Sequence, residues 1–491
     1  MSSAIDDRLI RDVVSEVLAR LGSNNGATLV SAAAPAPSAP PRPAPPVSAA
    51  GDWGVFPDVS SAVRAAQAAQ QQLLTKTLDE RNDAIQCIRD VVVNQAEELG
   101  RIEFEETKIG RLDHKIEKLV VVGKKVPGME MITTEAVSGD HGLCVTEHAP
   151  YGVIGVITPV THSVPTLACN AIMILAGGNT LVCNPHPSGA KVACEATQRW
   201  NRAIYEKIGI RNLICIIGKP TLETAKEVFT HPDIAMLCVT GGPGVASAAM
   251  RSNKKAAVAG PGNPPVVVDE TADIEKAAAG IIFGAAYDNN LLCIGEKECF
   301  VVQSVADALL SAMSRHGAFQ LNREQADALA EIAIHKDEKS GHWVANKEFV
   351  GKDPQVLGAA IGVTVPPGTQ LLYGEVDPSS PWLPCEQMMP FLPIVRVPNV
   401  DEGIRLAVHF EHGFGHTAII WSQSVDNMTK MGKAVDTTLF IKNGACMTGL
   451  GLGGEGFVSY SIATPTGEGP TSPLTFTRVR RCVMVDNLRI L

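Results

Sequence analysis

Aromatic side chains make up only 5% of the 491 residues, and several other things are scarce in this chain. No apolar stretch reaches the roughly 20 residues of a membrane-spanning helix, so no membrane partner is expected. The N-terminus lacks the basic-then-apolar layout of a secretion signal. The 12 cysteines contain no C-x-x-C pair, and Cys169, Cys183, Cys194, Cys215 and Cys238 sit in apolar segments. Zinc sites and disulfide frameworks favour repeating spacings, so no metal is expected, and buried thiols in a reducing, cytoplasmic setting are predicted. Positive charge is also short. A net charge of −10 argues against nucleic acid, and the basic run Arg478-Val-Arg-Arg481 reads as a solvated face. One local absence carries chemistry: no Asp or Glu occurs from Arg251 to Val268.

What is present is a chain too long for one core, 45% hydrophobic and rich in glycine (44), as expected of a multi-unit α/β enzyme. Residues 1–21 carry Ile5, Leu9, Val13, Val17 and Leu21 at every fourth position, with acids and arginines opposite, which predicts an amphipathic helix. Residues 22–51 are rich in Ala, Pro and Ser and are expected to be a disordered tether. An apolar stripe on a tether suits docking to another protein. From Trp53 to about Val121 the pattern is helical. Short β-rich runs then alternate with helices: strands at Gly152–Thr158, Asn179–Cys183, Leu213–Ile217 and Met236–Thr240, helices at Thr166–Ala176, Gly189–Lys207 and Leu222–Phe229. A second alternation runs from Pro265 to about Lys442. Two doubly wound α/β domains with a cleft between them are expected, a Rossmann-like cofactor domain at 52–264 and a catalytic domain at 265–445.

The chemistry concentrates in Asp288-Asn-Asn-Leu-Leu-Cys293-Ile-Gly-Glu-Lys-Glu298, a polar turn between an apolar helix and an apolar strand. Such a turn can present a thiolate to a pocket. After the strand at Met236, Gly241-Gly242-Pro243-Gly244 opens a small-residue helix, where backbone N–H groups can approach a phosphate. The same string is equally an ordinary turn. Thr158-Pro159-Val160-Thr161-His162 and Asn184-Pro185-His186-Pro187 close two other strands, at carboxyl ends that face a cleft in this fold class. Glu386 lies in an apolar Met/Pro setting. His416, in His412-Gly-Phe-Gly-His416-Thr-Ala, is a candidate proton acceptor or else a strand cap.

These strings, with Lys442-Asn-Gly, Gly451-Leu-Gly-Gly-Glu-Gly-Phe and Thr464-Pro-Thr-Gly-Glu-Gly469, resemble the CoA-acylating aldehyde dehydrogenases of bacterial microcompartments, of the propionaldehyde or acetaldehyde type. The resemblance implies an aldehyde dehydrogenase-like fold with a small β element for oligomerisation, including 137–150 and a C-terminal return over 446–491. It implies NAD as cofactor, with NADP left open by Asn184 or His186 in place of the usual lysine, and coenzyme A as co-substrate. Cys293 would be the nucleophile. Thr158, Pro159, Val160, Gly241–Gly244, Gly260 and Pro261 would line the dinucleotide groove, with Glu386 on the nicotinamide ribose. His416 would approach the thioester, and Thr161 or His162 would replace an asparagine oxyanion donor. Residues 1–21 would be an encapsulation peptide that binds a shell protein or a co-packaged enzyme, within the microcompartment lumen, and the chain would form a dimer or tetramer.

Hydrolytic relatives carry a glutamate in the segment Ala256–Pro265, and Val258 falls at its place. Without that base water attacks a thioester slowly, whereas a thiol is partly ionised and strongly nucleophilic at neutral pH. The sequence therefore favours transfer to CoA. A hydrolytic enzyme, a γ-glutamyl phosphate reductase-like enzyme and a shell-associated scaffold remain as alternatives.

Overall fold

In the computed structural model, residues 52–338 and 341–486 are described, so the expected helix at 1–21 and its tether lie outside the described residues. In chain order, β1 (Val55–Phe56) precedes α1 (Val59–Leu73), α2 (Leu78–Asn94), α3 (Ala96–Thr107) and α4 (Leu112–Lys125). A hairpin of β2 (Glu135–Gly139) and β3 (Gly142–Pro150) leads into β4 (Val153–Thr158), α5 (Ser163–Ala176), β5 (Thr180–Pro185), α6 (Ala190–Ile208) and β6 (Ile214–Ile217). Then come α7 (Leu222–Thr230), β7 (Met236–Thr240), α8 (Pro243–Met250) and β8 (Lys255–Ala259). The six strands pair in parallel in the order β1-β6-β5-β4-β7-β8. Strands buried on both faces read as unbroken apolar runs, which is why β4, β5, β6 and β7 were recognisable.

β1 is a difference from the expectation of helix from Trp53 onward. Two residues are too few to show a period, and Gly54 makes the turn into β1 at φ +99, where a Cβ would lie 2.5 Å from the carbonyl oxygen of Ile214.

The second alternation is β9 (Pro265–Val268), α9 (Ile274–Ala286), β10 (Glu298–Val302), α10 (Gln303–Arg315), β11 (Phe319–Leu321) and α11 (Arg323–Ala333). After the short ribbon of β12 (Ile334–Lys336) and β13 (Trp343–Ala345) come α12 (Pro354–Ala360), β14 (Leu372–Glu375), β15 (Phe391–Val397), α13 (Val400–Phe410), β16 (Thr417–Trp421), α14 (Val425–Val435) and β17 (Leu439–Lys442). Seven of these strands form a parallel sheet, β11-β14-β15-β10-β9-β16-β17. The chain closes with β18 (Ile462–Ala463), β19 (Gly469–Pro470) and β20 (Thr477–Val485), and β20 pairs antiparallel with β3 along nine residues. The three-stranded sheet β2-β3-β20 is largely exposed and carries Val137, Val479, Val483 and Val485 outward.

Two sheet edges position the chemistry. In the first sheet the strand order reverses between β4 and β7, so a crevice opens at their carboxyl ends. In the second, the four central neighbours β15, β10, β9 and β16 are preceded by Glu386, Cys293, Gly260–Gly262 and His416 respectively. The second set of candidate residues therefore gathers at amino ends of strands.

Candidate active site

Cys293 is held by a backbone that few sequences tolerate. Asp288, Asn289 and Asn290 all lie in the left-handed region, with φ of 49, 55 and 63. Each such residue costs on the order of 1 kcal/mol, least for Asn and Asp. Buried side-chain bonds hold the run in place. The Asp288 carboxylate accepts from Arg111 N (2.8 Å) and from the Lys118 ammonium. Asn289 donates to Gly351 O (3.0 Å) and Asp353 Oδ1 (2.8 Å) and accepts from Arg111 Nε (2.7 Å). Asn290 donates to Ala285 O (2.8 Å) and Glu296 O (2.9 Å), which staples the end of α9 to the start of β10.

Lys297 sits beneath the turn, fully buried, and donates to the Leu292 carbonyl (3.0 Å), the Asn290 carbonyl (3.3 Å) and the Asn290 side-chain oxygen. Its charge opposes the two effects that raise the Cys293 thiol, burial first and the Glu386 carboxylate second, which together push the thiol up to about 12. The same Lys297 charge reaches His162 and His416, so the cysteine and both candidate histidines share one electrostatic neighbourhood.

Gly262 is a site residue that the sequence did not single out beside Gly260 and Pro261. A Cβ there would lie 2.5 Å from the Cys293 carbonyl oxygen and 3.0 Å from His416 Cγ, so cysteine backbone and imidazole meet at this glycine. The Gly262 N–H also points to Glu386 Oε1 (3.4 Å). Burial raises the Glu386 carboxyl to about 7 against the opposing charge of Lys297. His416 is wholly buried. Its Nδ1 pairs with the Thr417 hydroxyl (2.8 Å) and its Nε2 has no protein partner, while burial and then Lys297 lower it to about 4. It is a neutral imidazole at neutral pH. His409 and His412 are exposed.

At the end of β4, Thr158 is buried and its carbonyl accepts from His186 N (3.1 Å), tying β4 to β5, while Pro159 and Val160 are half-buried. The Thr161 carbonyl accepts from Lys115 Nζ (2.7 Å). His162 takes the N-cap position of α5, its Nδ1 lies 3.0 Å from Lys118 Nζ, and its ring is 5.8 Å from that of Tyr460. Glu103 accepts from Ser163 N (3.2 Å) and Val164 N (3.3 Å), placing a carboxylate at the positive end of α5. Lys115, Lys118, Glu103 and Asp288 form one buried charge cluster beneath the cysteine turn and α5. Nothing in His114-Lys-Ile-Glu-Lys-Leu distinguishes buried lysines from those of a solvated helix face, so the sequence reading missed them.

The nucleotide candidates fit a dinucleotide. Gly242 has an ordinary φ of −64 and no side-chain cap, and neither it nor Gly244 would bring a Cβ within 4 Å of anything. Fold and packing do not require glycine there, and the exposed turn leaves room for a ligand to approach the backbone. Gly241 and Pro243 complete the turn. His186 is exposed, with Nδ1 accepting from Ser188 N (3.1 Å), whereas the Asn184 carbonyl oxygen is taken by the Thr224 hydroxyl (2.5 Å). Gly260 packs under Pro465, and Val258 N donates to Thr466 Oγ1 (3.0 Å), so the C-terminal segment roofs β8. The Val258 side chain belongs to the core on one face of the sheet, and Ala257 and Ala259 occupy the other. Neither face of β8 carries an acid. Nearby carboxyls are half engaged: Glu296 Oε1 accepts from Cys446 N (2.9 Å) and Glu298 Oε1 faces Asn263 Nδ2 (3.4 Å), while the Oε2 of each is buried without a partner.

The sequence profile described as the aldehyde dehydrogenase family matches residues 55–454. The acetylating acetaldehyde dehydrogenase EutE of Salmonella typhimurium is 44% identical over 446 residues, covering 91% of this chain and 95% of that protein. A propionaldehyde dehydrogenase of Rhodopseudomonas palustris, solved with bound propionyl-CoA, superposes with a TM-score of 0.85 at 42% identity, over 88% of this chain and 95% of that one. The propionaldehyde dehydrogenase of the Clostridium phytofermentans fucose utilisation microcompartment gives a TM-score of 0.86 at 44% identity, over 89% of this chain and 100% of that one. With the profile spanning most of the chain and these relatives nearly full length, the protein belongs to the aldehyde dehydrogenase family.

Proposed function

We propose that this chain is a CoA-acylating aldehyde dehydrogenase that converts a short aliphatic aldehyde, NAD⁺ and CoA into acyl-CoA and NADH. Its relatives of that activity, named for acetaldehyde and for propanal, support the reading. The Cys293 thiolate adds to the aldehyde carbon, the C=O electron pair moves to oxygen, and a thiohemiacetal forms on sulfur. The β4/β7 crevice and Glu386 would hold NAD⁺, which would supply the hydride acceptor that turns the thiohemiacetal into a thioester. The Cys293 N–H and His162 are the oxyanion donors in this reading, with Thr161 placing the loop through its carbonyl. His416, neutral with Nε2 unpartnered, accepts the CoA thiol proton as sulfur displaces sulfur and the acyl group moves to CoA.

The observation that carries the proposal is that β8, where hydrolytic relatives carry their water-activating glutamate, offers no carboxylate. Both of its faces are aliphatic, Glu296 and Glu298 each hold one oxygen in a protein bond, and Glu386 is assigned to the cofactor. A γ-glutamyl phosphate reductase would need a free cation for phosphate, yet Lys297 is committed to Asn290 and Leu292, and Lys254 to His231 O and Ile234 O. The test is NADH and thioester formation from propanal or acetaldehyde with and without CoA. Acyl-CoA in step with NADH is expected, whereas NADH indifferent to CoA, with free acid as product, would identify a hydrolytic enzyme.

The fucose utilisation microcompartment relative also supports a place in a microcompartment lumen, where residues 1–21 would dock to a shell protein or a co-packaged enzyme, and the exposed valines of the β2-β3-β20 sheet suit contact between subunits of a homo-oligomer. Deleting residues 1–21 is expected to spare activity and abolish packaging.

A further inference from the structure

Lys118 has a place that the reaction as written leaves unused. Its ammonium, fully buried on α4, donates in two directions at once: to the Asp288 carboxylate, first of the three left-handed residues before Cys293, and to His162 Nδ1 at 3.0 Å. It thus joins the two pieces of backbone that must meet across a reacting carbonyl. A protonated lysine has only hydrogens to offer, so the His162 Nδ1 that faces it must be a bare acceptor. The imidazole proton is thereby confined to Nε2.

We propose that Lys118 is a positioning residue that fixes His162 as its Nε2–H tautomer and thereby makes it a neutral, directed donor to the thiohemiacetal oxyanion. The inference rests on the reading of His162 as an oxyanion donor. Against a hydrogen bond to the Thr161 backbone that favours a second proton, Lys118 and Lys115 from α4, and Lys297 from beneath the cysteine turn, keep the ring from taking one. Burial acts in the same direction and is the largest effect. Tyr460 covers the ring from the C-terminal segment; burial lowers Lys118 to about 8, and the Asp288 carboxylate opposite it resists that shift, so the lysine is mostly charged at pH 7 and below. No net proton moves in the step. The thiolate electron pair forms the S–C bond, the carbonyl π pair localises on oxygen, and the His162 N–H bond points at that oxygen without breaking.

The experiment is the NADH burst of the full-length enzyme with aldehyde and NAD⁺ in the absence of CoA, which isolates acylation. His162→Ala is expected to slow the burst roughly 100-fold, the usual cost of losing an oxyanion donor. Lys118→Met is expected to slow it by a comparable factor with the KM values for aldehyde and NAD⁺ unchanged. Lys118→Arg, which keeps a charged donor, is expected to recover most of the rate. In the double variant, Lys118→Met is expected to add nothing to His162→Ala. A normal burst in His162→Ala would remove the oxyanion reading itself. A slow His162→Ala beside a normal Lys118→Met, or losses that multiply in the double variant, would overturn only the role of Lys118. A measurement on the unaltered enzyme guards against a variant that does not fold. ¹⁵N-histidine spectra, with His162 assigned by its loss in His162→Ala, are expected to report a bare Nδ1 and a protonated Nε2 at pH 7 and below, where Lys118 is mostly charged. A protonated Nδ1 would refute the proposal.

Discussion

The carbonyl oxygen of Cys293 lies 2.5 Å from the point that a Cβ on Gly262 would occupy, and His416 Cγ lies 3.0 Å from the same point. Backbone is the obstacle, so no rotamer relieves it. Gly262→Ala is expected to shift the cysteine turn by several tenths of an ångström and to lower kcat/KM on the order of 100-fold. NAD⁺ affinity, measured by fluorescence titration, should change little, since the glycines of the β7–α8 turn are untouched. Wild-type kcat/KM in this variant would show that the Cys293 carbonyl need not sit where it does.

The nucleophile can be followed without turnover. A thiol held up at about 12 by burial and by Glu386, against the pull of Lys297, should alkylate faster with each rise in pH and reach no plateau near neutrality. Glu386→Gln removes a charge that raises the thiol and should accelerate iodoacetamide labelling of Cys293. Lys297→Met removes the opposing charge and should slow it. Cys293→Ser should abolish both labelling at this position and NADH formation. Equal labelling rates in the two charge variants would detach these groups from the cysteine.

Acid titration of a buried carboxyl should be visible in stability. Burial raises the Glu296 carboxyl to about 7, so between its unfolded value and 7 the native state binds more protons than the unfolded chain. Stability from this group is present at acidic pH and is lost as pH rises through about 7. Glu296→Gln keeps an oxygen for the Cys446 N–H and removes the titration. Its Tm should therefore fall less than that of the wild type between pH 5.5 and 8, and parallel Tm profiles would count against the assignment.

Asp288 joins the electrostatics to the backbone. Asp288→Ala leaves Lys115 and Lys118 buried without their shared anion and removes an acceptor from Arg111 N, which should cost about 3–5 kcal/mol. Denaturant unfolding would measure it. A loss below about 1 kcal/mol would mean that the left-handed run stands without its ion pair.

Much of this was legible in residues buried on two faces. Met236–Thr240 has in the sequence the ends the structure gives it, because a parallel strand between two helical layers is a short apolar run with polar punctuation. Cys293 could be placed on its turn for a similar reason. Lys118, Lys297 and Glu296 could not be read as buried, since a charged residue sinks into a core only when distant partners meet it, and Lys118 meets Asp288 across 170 positions. Gly262 was lost among neighbouring glycines and prolines because its requirement comes from Cys293 and His416, both distant along the chain. The left-handed run was hidden because Asp-Asn-Asn composition also suits an ordinary turn.

That run has a consequence for how such an enzyme changes its diet. Three costly backbone angles and the buried amides that enforce them form a floor under the sulfur, already assembled before any aldehyde arrives. Small alterations to the floor are punished, so new appetites are better acquired at the roof, where Pro465, Thr466 and Tyr460 are supplied by one C-terminal stretch. Swapping that stretch between homologues should exchange taste for substrates while leaving the reactive sulfur as it was.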